Sequence, residues 1–153
     1  MELIEVSVER VIATTDNDFA VVLNSEEKPF LIFVGRAEVM VLYRELKGIV
    51  PQRPMSHDLI VNMIRAFDIE VRGVAISSII DNVFCATLLL TQPSDDGNER
   101  NEVRLDLRAS DAMIVALKTK SQLYVSREVL AQVTDATPFL DLDDGMGQAG
   151  LEG

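Results

Sequence analysis

The sequence predicts a single α+β domain built on a mixed, largely antiparallel β-sheet with about three to four helices. Three observations carry that expectation. Apolar and polar residues alternate, as in a half-buried strand, in LIEVSVER near the start and again in EVRLDLR at 102–108. Between these stretches lie segments whose apolar residues return every three to four positions, the period of an amphipathic helix. The chain has 153 residues, 48 % hydrophobic and 25 % charged, which suits one packed core and excludes a wholly disordered or collagen-like chain. Residues 1–134 are expected to form this domain, and the acidic, glycine-rich stretch 135–153 to be a poorly ordered tail.

The first strand is expected through Leu3, Val6, Val8 and Val11, and the runs FAVVL and PFLIFV supply two more. The turn formers TTDND and NSEEK separate the three, so they read as an antiparallel meander. Gly35 breaks the pattern. From Arg36 to Lys47 the period is helical, with Val39, Leu42, Tyr43 and Leu46 on one stripe and Gly48 placed as a C-terminal cap. The two prolines of IVPQRPM stop any continuation. A second helix is expected from Ser56, with Ser56 as N-cap, Asp58 in the first turn, and an inward face of Leu59, Ile60, Met63, Ile64 and Phe67. Strands near 69–79 and 83–91 read as a hairpin across a short IDN turn. After the polar loop QPSDDGNERN comes a strand with Val103, Leu105 and Leu107 on one side and Arg104, Asp106 and Arg108 on the other. Ser110 and Asp111 open a third helix whose Met113, Ile114 and Leu117 point inward. A short buried strand, QLYVS, and a helical turn, SREVLAQV, follow.

Charge and cysteine content narrow the functions. Fourteen basic against 25 acidic residues give a net charge of −11, so long-range electrostatics repel nucleic acid and only weak binding to it is expected. Removing Asp135, Asp141, Asp143, Asp144 and Glu152 of the tail leaves about −6, a moderately acidic body. One cysteine, Cys85, and one histidine, His57, exclude an internal disulfide and a four-ligand Cys/His zinc site. No apolar run approaches the roughly 20 residues of a membrane span, and MELIEVSVER lacks the features of a secretory signal, so the cytoplasm is the expected compartment.

Chemistry concentrates at helix starts. Arg53-Pro54-Met55-Ser56-His57-Asp58 sets the sole histidine beside an aspartate, where the imidazole can bond the carboxylate or ligate a metal. The simpler reading is capping, with His57 solvated. Arg108-Ala109-Ser110-Asp111 repeats the Arg, Ser, Asp grammar, and again capping is the plainer account. Glu38, in the first turn of its helix, is a third candidate, whose simpler role is to complement the helix dipole. If the fold brings these segments together, Asp58, Asp111 and Glu38 could bind Mg²⁺ or Mn²⁺ while Arg53 and Arg108 hold phosphate oxygens, as metal-assisted phosphodiester hydrolysis requires. His57 would then be general base or ligand. Lys118 and Lys120 are best read as dipole partners at a helix C-terminus, although they could extend a small basic patch with Arg104 and Arg108. No phosphate-binding glycine loop, nucleophile elbow or HExxH is present, and Ser56 and Ser110 have better explanations as caps than as nucleophiles.

At these same residues the sequence resembles the bifunctional nuclease domain family over roughly Met1 to Val133. The strongest parts are RPMSHDLI at Arg53 to Ile60 and VRLDLRASDAMIVALKTKSQLYVSREVL at Val103 to Leu130. Gly35 to Glu38 and Phe84-Cys85-Ala86 agree more weakly. Ala109 stands where the family usually has proline before the Ser-Asp pair, which removes a rigid helix start without removing a polar group. The resemblance implies an α+β fold with a mixed sheet, self-association with a homodimer first in line, and nuclease activity on DNA and RNA. It transfers motif membership to Arg53, His57, Asp58, Arg108, Ser110 and Asp111 without fixing their roles. The competing expectation is a noncatalytic, homo-oligomeric binding or regulatory module whose helix N-termini form an anion or small-ligand pocket.

Overall fold

The computed structural model describes residues 1–14, 17–96 and 100–146. Its centre is one eight-stranded sheet with the order β6-β5-β4-β7-β1-β2-β3-β8. The strands are β1 (Leu3–Ala13), β2 (Phe19–Asn24), β3 (Pro29–Val34), β4 (Glu70–Ile80), β5 (Val83–Pro93), β6 (Arg100–Arg108), β7 (Leu123–Ser126) and β8 (Thr134–Asp135). Four helices accompany them: α1 (Arg36–Lys47), α2 (Ser56–Ala66), α3 (Ala109–Thr119) and the single turn α4 (Arg127–Leu130). The expected class, a single α+β domain on a mixed and mainly antiparallel sheet, is the class observed.

The sheet is two antiparallel meanders joined by one short strand. β1, β2 and β3 form the first meander and β4, β5 and β6 the second. β7 lies between them, antiparallel to β1 and parallel to β4, and this pair makes the sheet mixed. The β4–β5 hairpin turns through Asp81 and Asn82, both at positive φ, the two-residue turn whose twist matches the flanking strands. Gly48 takes the left-handed conformation at the end of α1, as its position implied.

One face of the sheet carries α1, α2 and α3, with α3 central: seven of its eleven residues are buried. Ala109, Ala112 and Ala116 keep it thin enough to sit close to the strands, and Met113 and Ile114 fill the space between. The opposite face is covered beside the first meander by residues after Thr134. There Ile12, Ala20, Val22, Leu31 and Ala136 form a second small core closed by Phe139 and Leu142, and Arg10 donates to the carbonyls of Leu140 and Leu142. The described part of the stretch expected to be a loose tail is therefore packed: Ala136, Phe139 and Leu142 cover the second face of the first meander, and Met146 is buried in the main core. The rest of the expected tail, 147–153, lies outside the described residues.

Two further expectations change. Ser56 is the first helical residue of α2 and Met55 its N-cap, while Ser110 is the second residue of α3 and Arg108 its N-cap, so neither serine caps. Of the five residues expected to face inward from α2, only Ile64 is buried, joined by Val61; Leu59, Ile60, Met63 and Phe67 are exposed. Periodicity locates an apolar stripe but not what covers it. Likewise Val103 and Leu105 of β6 sit on the helix-bearing face, directly across from buried Leu90 and Leu88, yet remain exposed because β6 is the sheet's edge.

Candidate functional site

The two Arg-Ser-Asp segments, 54 residues apart along the chain at His57 and Asp111, meet in space. His57 Nε2 lies 2.9 Å from Asp111 Oδ1. An ionised carboxylate only accepts, so Nε2 carries the hydrogen and Nδ1 is left as the nitrogen able to take a proton. Arg108 grips the same carboxylate with two bonds, Nε to Oδ2 at 2.8 Å and Nη2 to Oδ1 at 2.9 Å, and its Nη1 reaches Glu38 Oε1 at 2.8 Å. The result is a chain of charge, Glu38–Arg108–Asp111–His57, joining α1, the end of β6, α3 and α2. The extended backbone of Arg108 as N-cap lets its side chain turn back onto the first turn of α3.

Asp58 belongs to an adjoining network. Lys118 Nζ donates to Asp58 Oδ1 at 2.6 Å and to Glu45 Oε2 at 2.8 Å, and the Met55 amide donates to Asp58 Oδ2 at 2.9 Å. This last bond satisfies one free amide at the start of α2, which the serine was expected to do. Lys118 is only 12 % exposed, so its charge is held in place by two carboxylates rather than by water.

These contacts set the ionisation of the site. Arg108 first, then His57, hold the Asp111 carboxyl below the usual aspartate range against the opposing effect of burial. Lys118 and the Met55 amide lower Asp58, and its own backbone amide followed by Arg108 lowers Glu38. Burial pulls Lys118 down, but Asp58 and Glu45 outweigh it and leave the ammonium above its ordinary value. At neutral pH the site therefore holds ionised carboxylates matched to fixed cations.

Two hollows adjoin these groups. A cavity of about 20 Å³, enough for one water molecule, is lined by Arg44, Glu45, Met55, His57, Asp58 and Lys118 among others. An open cleft of about 210 Å³ shares Glu45, Asp58 and Lys118 and adds Arg65 and Asn62. Arg53 is exposed on the loop before α2, and among the described residues no ion pair joins it to the cluster. Ser110 is buried at 8 % exposure and is not presented at the surface. Asp58, Asp111 and Glu38 do not make a resident metal cage: among the described residues no three His, Cys, Asp or Glu side chains gather as one ligand set.

Lys118 and Glu45 are the members that sequence reasoning missed. Lys118 lies two helical turns after Asp111, and Glu45 two turns after Glu38, so each pair shares one helix face. That spacing was legible, but nothing in it said that the two faces are opposed.

Fold and site together define a small α+β domain with a polar His-Asp-Arg centre where three helix starts converge. The chain belongs to the bifunctional nuclease domain family, which matches residues 21–137. It is 32 % identical over 101 residues to an uncharacterised protein of Mycobacterium tuberculosis strain H37Rv, covering 66 % of this chain and 56 % of that protein. It is 27 % identical over 137 residues to bifunctional nuclease 2 of Oryza sativa subsp. japonica, covering 79 % and 41 %, and 28 % identical over 113 residues to bifunctional nuclease 1 of Oryza sativa subsp. indica, covering 72 % and 33 %. The chain thus spans between a third and somewhat over half of the length of these relatives. Among the described residues, no helix is long and apolar enough to cross a membrane.

Proposed function

We propose that this domain hydrolyses phosphodiester bonds in DNA and/or RNA, with His57 as general base and Asp111 as the group that orients it. The observation that carries this reading is the 2.9 Å His57–Asp111 bond, set beside a cavity of one water's size. A water there loses its proton to His57 as its oxygen forms the new bond to phosphorus; the P–O bond to the leaving group breaks, and that oxygen takes a proton from solvent. Three of the five N–H groups of Arg108 are engaged, which leaves two for a phosphate oxygen on a side chain that is 61 % exposed. Arg53 is assigned to a flanking phosphate. Mg²⁺ or Mn²⁺ would be held by Asp111 or Asp58 together with substrate oxygens, Glu38 being the outlying carboxylate, and would neutralise charge on the phosphate. Because Arg108 and Lys118 already occupy those carboxylates, such an ion has to compete with them.

The test is cleavage of single-stranded and duplex DNA and RNA by highly purified protein, with Mg²⁺, Mn²⁺ or chelator. His57→Ala is expected to lower the rate about 10²-fold or more. Wild-type, His57→Ala and Asp58→Asn proteins with equal residual activity would show a contaminating nuclease and end the proposal. One observation favours the second reading, a noncatalytic module binding an anion or small ligand: each of the three site carboxylates already has an Arg or Lys partner. Inorganic phosphate binding, measured by calorimetry, without cleavage of any substrate would select that reading.

A further inference from the structure

Among the described residues, the outer edge of β6 is the longest uncovered sheet edge. Among the described residues nothing pairs with it, whereas the opposite edge of the sheet ends in the two-residue β8. Exposed edge strands present unpaired N–H and C=O groups, and they are normally short, bulged or guarded by inward charges. β6 is none of these: it pairs with β5 over nine consecutive positions without a register shift, and its helix-side residues Val103 and Leu105 are apolar and exposed.

The apolar stripe of α2 runs along the same side. α2 starts at the His57–Asp111 bond, next to the C-terminal end of β6. Its last turn reaches Gln92, whose Nε2 donates to the Phe67 carbonyl and which stands opposite Asn101, near the other end of β6. Leu59, Ile60, Met63 and Phe67, each 44–64 % exposed, therefore flank the strand on the helix-bearing side of the sheet. An apolar helix face beside an apolar strand edge is a surface that water disfavours, and its burial is worth roughly 25 cal/mol per Å².

We propose that this surface is covered by a second copy of the chain, the two β6 strands pairing antiparallel about a two-fold axis through Leu105 to continue the sheet from one subunit into the other. The sequence of the strand selects that register. Centred on Leu105, Arg104 faces the partner's Asp106, Glu102 faces the partner's Arg108, Val103 faces the partner's Leu107, and Leu105 faces its own copy. Opposite charges then lie across one face and apolar side chains across the other, as antiparallel neighbours require. Moving the axis to Arg104 sets Arg104 on itself and Glu102 on Asp106; moving it to Asp106 sets Asp106 on itself and Arg104 on Arg108. Axes through Val103 and Leu107 also set opposite charges across, Glu102 on Arg104 and Asp106 on Arg108, but they put Leu105 against Asn101 and Ala109, so only the Leu105 axis pairs the charges and matches apolar with apolar along the strand. The two-fold axis lies across the sheet, so both α2 helices fall on the same side of it and their stripes meet.

Sedimentation velocity on the full chain, over a range of concentrations, tests this with charge reversals on the solvent side of β6. Wild type is expected to be a dimer. Arg104→Asp and Asp106→Arg each create two like-charged cross-strand pairs and should weaken association about tenfold or more, and the double variant restores opposite charges and should return it to near wild type. Thermal melts by circular dichroism separate loss of pairing from loss of folding. If Arg104→Asp unfolds the chain, Leu105→Lys serves in its place, with dissociation expected in a folded monomer. A wild type that stays monomeric up to about 100 μM would overturn the proposal, as would an oligomer that the single reversals leave unchanged or a double variant that remains as weak as the singles.

Discussion

The starts of α2 and α3 bring the same three residue types, arginine, serine and aspartate, to a helix N-terminus, yet the two helices end in different surroundings. α3 is buried along most of its length, and its Asp111 is fixed by a two-pronged arginine and a histidine. α2 buries only Val61 and Ile64, leaves its apolar stripe outside, and ties its Asp58 to a lysine and to its own cap amide. The sequence around a helix start decides where the chain can turn; it does not decide how deep the helix sits. Depth comes from connection: α3 follows directly on β6 and is laid across the middle of the sheet, while α2 is reached through a proline-containing loop and joins from the side.

Substitutions should measure that contrast. The largest effect is expected from truncating the buried helix. Met113→Ala should lower unfolding free energy by about 2–5 kcal/mol, whereas the same change at Met63 should lie within about 0.5 kcal/mol for the isolated subunit, both read from denaturant midpoints. Equal losses would mean that α2 is not exposed as described. Next comes Asp111→Asn, which takes the negative charge and one acceptor oxygen from Arg108 and His57. A loss of about 1–3 kcal/mol is expected, together with a fall in any cleavage rate, and Asp58→Asn should cost less because Asp58 accepts one side-chain bond, from Lys118, where Asp111 accepts three.

The pH profile sharpens the same comparison. Asp111, Asp58 and Glu38 have carboxyls lowered on folding, so their contribution is fully present above the ordinary carboxylate range and is lost as pH falls below about 4 through their depressed folded values. The share of stability due to these three carboxylates should therefore be constant from neutral to about pH 5 and fall in acid, and the fall should be shallower in Asp111→Asn. The smallest effect is expected at Ser56. Since the Asp58 carboxylate and not the serine satisfies the cap, Ser56→Ala should change stability by less than about 0.5 kcal/mol, against about 1 kcal/mol for a true capping serine.

Much of the molecule was legible before any coordinates. The β1–β2–β3 meander, the Asp81–Asn82 turn, the Gly48 cap, the extent of α1 and the start of α3 follow from alternation, turn chemistry and helical period, which are local properties. His57, Asp58, Asp111, Arg108 and Glu38 were found because polar residues at helix starts stand out against apolar runs. Lys118 was taken for a dipole partner, because nothing near it in sequence reveals that Asp58 and Glu45 close over it from two other helices. Residues 135–146 were misread for the same reason: an acidic, glycine-rich composition describes a segment's solubility but not the bare sheet face awaiting Ala136, Phe139 and Leu142.

By itself, then, the sequence determined the elements, because the periods of 2 and 3.6 and the backbone limits of glycine and proline act over a few neighbouring residues. Only the tertiary structure decided that His57 meets Asp111, that Lys118 is enclosed and that β6 forms an edge. Those facts depend on which surfaces come together across long stretches of chain, and hydrophobic burial, the force that brings them together, has no preferred direction along the sequence.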